Sequence, residues 1–208
     1  VVAVSIIVRR YRARVIRAAV LNPITPGFEE RFYSPSHAGE SWHCYFNQCD
    51  MAAALVGSSR DACRLYYSHF LNSWSHDKEL FRGDELELYV DNYMKPGNIR
   101  GGFNFYRANC SQACGQGSWQ GSAQAKWQGS SQASGYGDRQ PCWPWDQSDW
   151  TISDCPMTFL CGLSDPAVPS AWSDLVSRWY NKYTIEYLDK CGHYVMREQP
   201  EAFNQAAM

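Results

Sequence analysis

The sequence predicts an α/β protein: a parallel sheet with a long helical segment inserted between its strands. Three observations carry this. Two short apolar segments, 156–162 and 183–188, flank a helical stripe, and strand–helix–strand order is what a parallel sheet requires. A third apolar segment, RAAVL, ends at Leu21, where Asn22-Pro23 stops it. Between these regions, from Ser41 to about Ala108, apolar residues recur at helical spacing.

In chain order, Val1, Val4, Val8 and Tyr11 fall on one helical face, although the β-branched content leaves a strand open. RARVIRAAVLN connects this segment into a buried strand ending near Leu21. Residues 27–41 read as a loop. Ala52–Val56 is rich in helix formers, and Arg60–Trp74 places Cys63, Tyr67, Phe70, Leu71 and Trp74 on one stripe. Asp84 with Glu87 predicts a capping box for a helix through Tyr93, which Pro96-Gly97 ends, and another helix runs to about Arg107. Between Arg107 and Asp138 the only charge is Lys126, and WQGS and SQA each occur twice, so 110–149 is expected to be a low-complexity insertion or loop. Order resumes near Trp150, with strands at Pro156–Gly162 and Tyr183–Leu188. A helix over Ala171–Tyr180 turns Trp172, Leu175, Val176 and Trp179 inward, and a final helix spans Glu198–Met208. The division is a core segment at 1–26, helices at 27–109, the insertion at 110–149 and a second core segment at 150–208.

Composition narrows the function. Lys and Arg number 19 against 21 Asp and Glu, so no basic field exists to hold a phosphate backbone, and nucleic acid is not an expected partner. No apolar run approaches the roughly 18 residues that cross a bilayer, and the apolar opening precedes its positive charges, the reverse of a secretory signal. The nine cysteines lack paired metal-ligand spacing and read as mostly buried thiols of a cytoplasmic protein, with no metal or cofactor expected.

Asp165 follows the strand at 156–162, and His193 follows the strand at 183–188. Parallel strands joined by a right-handed crossover bring both positions to the carboxyl edge of the sheet, where catalytic groups gather. A carboxylate accepting the Nδ1 proton of a histidine leaves Nε2 as a general base. A turn at Asp165-Pro166 and a loop histidine at 193 are the plainer alternative.

GLSDPAVP (162–169) and YTIEYLDKCGHYVMREQPEAFNQA (183–206) resemble the C-terminal third of an α/β-hydrolase. The segments SWHCYFNQ, AAALVGSSRDACRLYYSHFLNSW and ELELYVDNYMKPGNIRGGFNFYRAN resemble the helical cap of its epoxide hydrolase and haloacetate dehalogenase branch. The resemblance implies that Asp165 is the acid and His193 the base, and that Tyr106 holds an epoxide oxygen. At the other oxygen-binding position this sequence has Trp42, a departure from the usual tyrosine, because an indole donates a hydrogen bond but not a proton. Trp42-His43 instead resembles the dehalogenases' halide-binding pair, with Cys44 where a second Trp often stands. Trp42, Tyr45 and Phe46 as plain helical core is the alternative. The implied substrate is a small epoxide or organohalide.

The 208 residues hold no Gly-x-Asp-x-Gly or Gly-x-Ser-x-Gly turn, the elbow on which this family presents its nucleophile. VVAVSIIVRRYRARVIRAAVLN resembles the helix after that elbow and the next strand, which implies an aspartate nucleophile a few residues before Val1. The chain alone is then expected to be inactive and to self-associate through an exposed sheet edge. A serine esterase of the same fold and a non-catalytic truncated homologue are the other readings.

Overall fold

The computed structural model describes residues 2–110 and 151–207. Its three strands, β1 (Ala18–Leu21), β2 (Met157–Gly162) and β3 (Tyr183–Leu188), form a parallel sheet in the order β1-β2-β3. Val20 pairs with Phe159, and Phe159 with Ile185. The central strand β2 is buried on both faces, as a parallel strand covered by helices must be. Met157, Phe159 and Cys161 face α1 (Val2–Arg10) and the 170–178 segment. Leu160 faces α8 (Val195–Glu198) and α9 (Pro200–Ala207). β3 is mostly exposed, with Tyr187 at 52%.

Between β1 and β2 the chain runs through α2 (Glu29–Phe32), α3 (Ala38–Phe46), α4 (Asp50–Val56), α5 (Arg60–Ser73), α6 (Gly83–Tyr93) and α7 (Asn98–Cys110). This helical insertion has its own core, built on Val56, Leu71, Phe81, Val90 and Phe103. Phe70 and Trp74 on the α5 stripe instead pack on Ala167 and Val168 of the loop after β2, joining insertion to sheet.

Several local expectations need correction. Tyr11 lies beyond α1 and is exposed; Ser5 takes the inward place and hydrogen-bonds the Tyr180 hydroxyl at 3.0 Å. Residues 27–41 contain α2 and the start of α3. No capping box forms at α6, because Glu87 is drawn across to α5. Arg64 and then Arg60 bind it and hold its carboxyl at about 2, well below the usual range. Residues 170–178 wind as tight 3₁₀ turns, with Leu175 and Val176 inward as expected and Trp172 and Trp179 only half-buried. The final helix breaks at Gln199, which Pro200 forces out of helical geometry. The expected insertion at 110–149 lies outside the described residues, apart from the backbone of Cys110, where α7 ends.

Phe159 is fully buried at the centre of the sheet. Phe159→Ala is expected to lower the unfolding free energy by about 3–5 kcal/mol in urea titration, the usual cost of emptying a core aromatic site.

Candidate active site

The carboxyl ends of all three strands meet at Asp165. Its side chain is 1% exposed, yet both oxygens are fully engaged. Oδ1 accepts backbone N–H groups from Ala167 at 2.8 Å and Val168 at 3.0 Å, the aspartate's own turn. Oδ2 accepts Nδ1–H of His193 at 2.9 Å and, in a short contact, the side-chain amide of Asn22. The two donors on Oδ2 lie 3.0 Å apart. Because a carboxylate only accepts, the His193 proton sits on Nδ1 and Nε2 is left as the basic atom. Asp165 and His193 are thus in contact, as their spacing predicts.

From the sequence, Asn22 reads only as a strand terminator. It is 4% exposed and adopts φ 65°, a left-handed conformation that asparagine tolerates better than most residues. That backbone turn points its amide back across the sheet edge at Asp165. The signal was present: the rule that places functional groups at strand carboxyl ends applies to β1 as well as to β2 and β3.

The loops after β2 and β3 are bound to each other. Leu163 N–H donates to the Leu188 carbonyl at 3.0 Å and Ser164 N–H to that of Cys191 at 2.8 Å. A Cβ on Gly162 would strike the backbone carbonyl oxygens of Cys191 and Gly192, so only glycine fits there. Cys161 and Cys191 flank the site, but burial, with Asp165 adding in both, pushes each thiol up to about 12, so neither is a thiolate nucleophile.

From His193 a file of rings runs into the helical insertion. Trp74 lies 5.0 Å from His193, His43 lies 5.2 Å from Trp74, and Tyr106 lies 5.4 Å from His43, between ring centroids. Glu40 holds the middle of the file: its carboxylate accepts the Trp74 indole N–H at 2.6 Å, and its carbonyl accepts His43 Nδ1–H at 2.8 Å. His43 is buried, which pulls it down to about 4 and keeps it neutral. His43, Trp74, Tyr106 and Tyr194 help line a cavity of about 340 Å³ between α3, α5, α6 and α7.

Trp42, adjacent to His43 on α3, does not share this cavity. It stacks on Phe70 at 5.5 Å and lines a separate apolar groove of about 510 Å³ with Leu55, Leu65 and His69 on the outer face of the helices. The structure therefore brings His193, Asp165, His43 and Tyr106 into one file and leaves Trp42 outside it. Among the described residues no cluster of His, Cys, Asp and Glu is able to hold a metal ion, and no helix is long and apolar enough to cross a membrane.

The fold has counterparts among solved structures. Epoxide hydrolase CorEH superposes with a TM-score of 0.66 at 18% identity, over 98% of this chain and 62% of its own. The epoxide hydrolase of Bacillus megaterium, in complex with an inhibitor, matches at 0.66 and 12% identity, over 98% and 63%. The fold is that of the α/β hydrolases. Cfl2 of Burkholderia cenocepacia matches this hydrolase fold at 0.64 and 19% identity, over 95% of this chain and 57% of its own. The chain thus spans about three-fifths of the length of these three proteins. No family model and no curated protein matches the sequence.

The buried His43 carries a pH dependence. Above pH 6.5 it is neutral folded or unfolded; between 6.5 and about 4 only the unfolded chain takes the proton. Its contribution to stability should therefore fall by roughly 3 kcal/mol over that window as pH drops, and then level off. Urea titrations across this range should show a shallower acid decline for His43→Phe than for the parent; superimposable slopes would contradict the assignment.

Proposed function

We propose that the chain supplies the base, the acid and the helical cap of an α/β hydrolase that opens a small epoxide through an ester intermediate. The hydrogen bond from His193 Nδ1 to buried Asp165 carries this reading, because it fixes the tautomer that leaves Nε2 free to accept a proton. An aspartate carboxylate outside these 208 residues attacks an epoxide carbon, and the carbon–oxygen bond of the ring breaks. Tyr106, whose phenol proton is suited to an opening alkoxide, donates to the departing oxygen. His193 Nε2 then removes a proton from water and the resulting hydroxide attacks the ester carbonyl; the carboxylic acid so formed gives its proton to the departing alkoxide, which releases diol and restores the carboxylate, and the proton on His193 returns to the Tyr106 phenolate. His43, held neutral beside Tyr106, lines the pocket as a polar contact for the substrate.

Trp42 opens on a different cavity from His43 and Tyr106, so in this reading Tyr106 holds the departing oxygen without it, and Trp42 and His43 do not converge as a halide cradle. A serine in the nucleophile's place would turn the same pair to ester hydrolysis. Among the described residues β1 and β3 are the edge strands, and self-association of the chain would occur there.

The 208 residues alone are expected to give no steady epoxide turnover. In the protein completed by a segment bearing a Gly-x-Asp-x-Gly elbow, diol should form, and His193→Gln should stop at the ester. Intact mass would then rise by the mass of the substrate. Diol formation by His193→Gln at the parent rate would overturn the proposal, and halide release without diol formation would move it to dehalogenation.

A further inference from the structure

Asp165 fixes the ring of His193, but a different carboxylate holds its backbone. Glu198, at the end of α8, reaches back to the loop that carries His193. Its Oε2 accepts the N–H of Gly192 at 3.0 Å, and its Oε1 accepts that of Tyr194 at 3.1 Å, so the two residues flanking the base are held by one side chain. The same Oε2 accepts the N–H of His76 at 2.6 Å. His76 belongs to the turn after α5, part of the helical insertion, whose Trp74 carbonyl accepts the N–H of His193 itself at 2.8 Å. Gly192 makes the approach sterically feasible: a Cβ there would run into the Trp74 carbonyl oxygen and come within 2.7 Å of the His76 nitrogen.

The fold therefore ties the His193 amide directly to the 74–76 turn and the amides on either side of it to Glu198, the carboxylate that also holds His76 and so bridges the two segments. Hydrogen bonds to a charged acceptor are stronger and more directional than neutral ones, and one charge shared by three donors couples their positions. We infer that Glu198 is the positioning residue that locks His193 to the helical cap, so that the base is aligned only when the turn at 74–76 is seated. This rests on the reading of His193 as the base. It adds that the cap controls the base and does more than enclose substrate.

The test uses Glu198→Ala and Glu198→Gln in the 208-residue chain, with amide hydrogen exchange and the NMR resonance of the His193 Nδ1 proton as readouts. Exchange at His76, Gly192 and Tyr194 should accelerate together by about tenfold or more in Glu198→Ala. The Nδ1 proton signal should shift or broaden, while Phe159 and Leu160 in β2 keep their protection. Glu198→Gln retains one accepting oxygen and should spare one side of the clamp, which keeps the test decisive if the alanine variant fails to fold. Acceleration confined to Tyr194, with His76 and the Nδ1 signal unmoved, would reduce Glu198 to a local helix contact and overturn the inference. Failure of the hydrolase reading would show separately, as normal ester breakdown in His193→Gln.

Discussion

The site depends on a single buried carboxylate and the four N–H groups that converge on it. A charge as buried as Asp165 is tolerable only when its lone pairs are satisfied, and removing one partner of such a group costs far more than an exposed pair is worth. Its four donors come from three places far apart in sequence: its own turn, the end of β1 and the loop after β3. The carboxylate can be satisfied only if β1, β2 and β3 are parallel and in this register. The sheet and the histidine are therefore specified together.

A second layer of contacts extends that order into the helices. Glu40 holds Trp74 and His43 through separate atoms, Trp74 packs on His193, and the backbone of 74–76 meets the histidine loop directly. The helical insertion is built around its own apolar core, yet its α5 stripe divides. Leu71 turns into that core, whereas Phe70 and Trp74 reach the loop of Asp165. One helix thus anchors the cavity wall and presses on the loops that carry Asp165 and His193.

The parts legible in the sequence were those with a local signature. The apolar segments ending near Leu21, Gly162 and Leu188 emerged as strands because each is short, apolar and bounded by turn residues. Asp165 and His193 each follow one of these strands, and a right-handed crossover brings both to the carboxyl edge. Contacts made by distant polar side chains were not legible. Asn22 binds a residue 143 positions away; its place at the carboxyl end of β1 marks it as a candidate, but nothing in Leu-Asn-Pro names its partner. From the sequence Glu198 reads as the start of a helix, whereas it closes a short one and clamps the preceding loop. Glu87, expected to cap its own helix, is captured by two arginines of the helix beside it, where a tertiary ion pair outcompetes a local cap. Adjacent Trp42 and His43 looked like a pair, but a helix turns successive side chains to different sides, and here they serve different cavities.

The most direct measurement is the tautomer of His193, read by nitrogen-15 NMR of the ring at a pH where it is neutral, in the parent chain and in Asp165→Asn. The account predicts a proton on Nδ1 and a bare Nε2 in the parent, and loss of that preference in Asp165→Asn. A parent ring carrying its proton on Nε2, or a tautomer indifferent to Asp165, would contradict it.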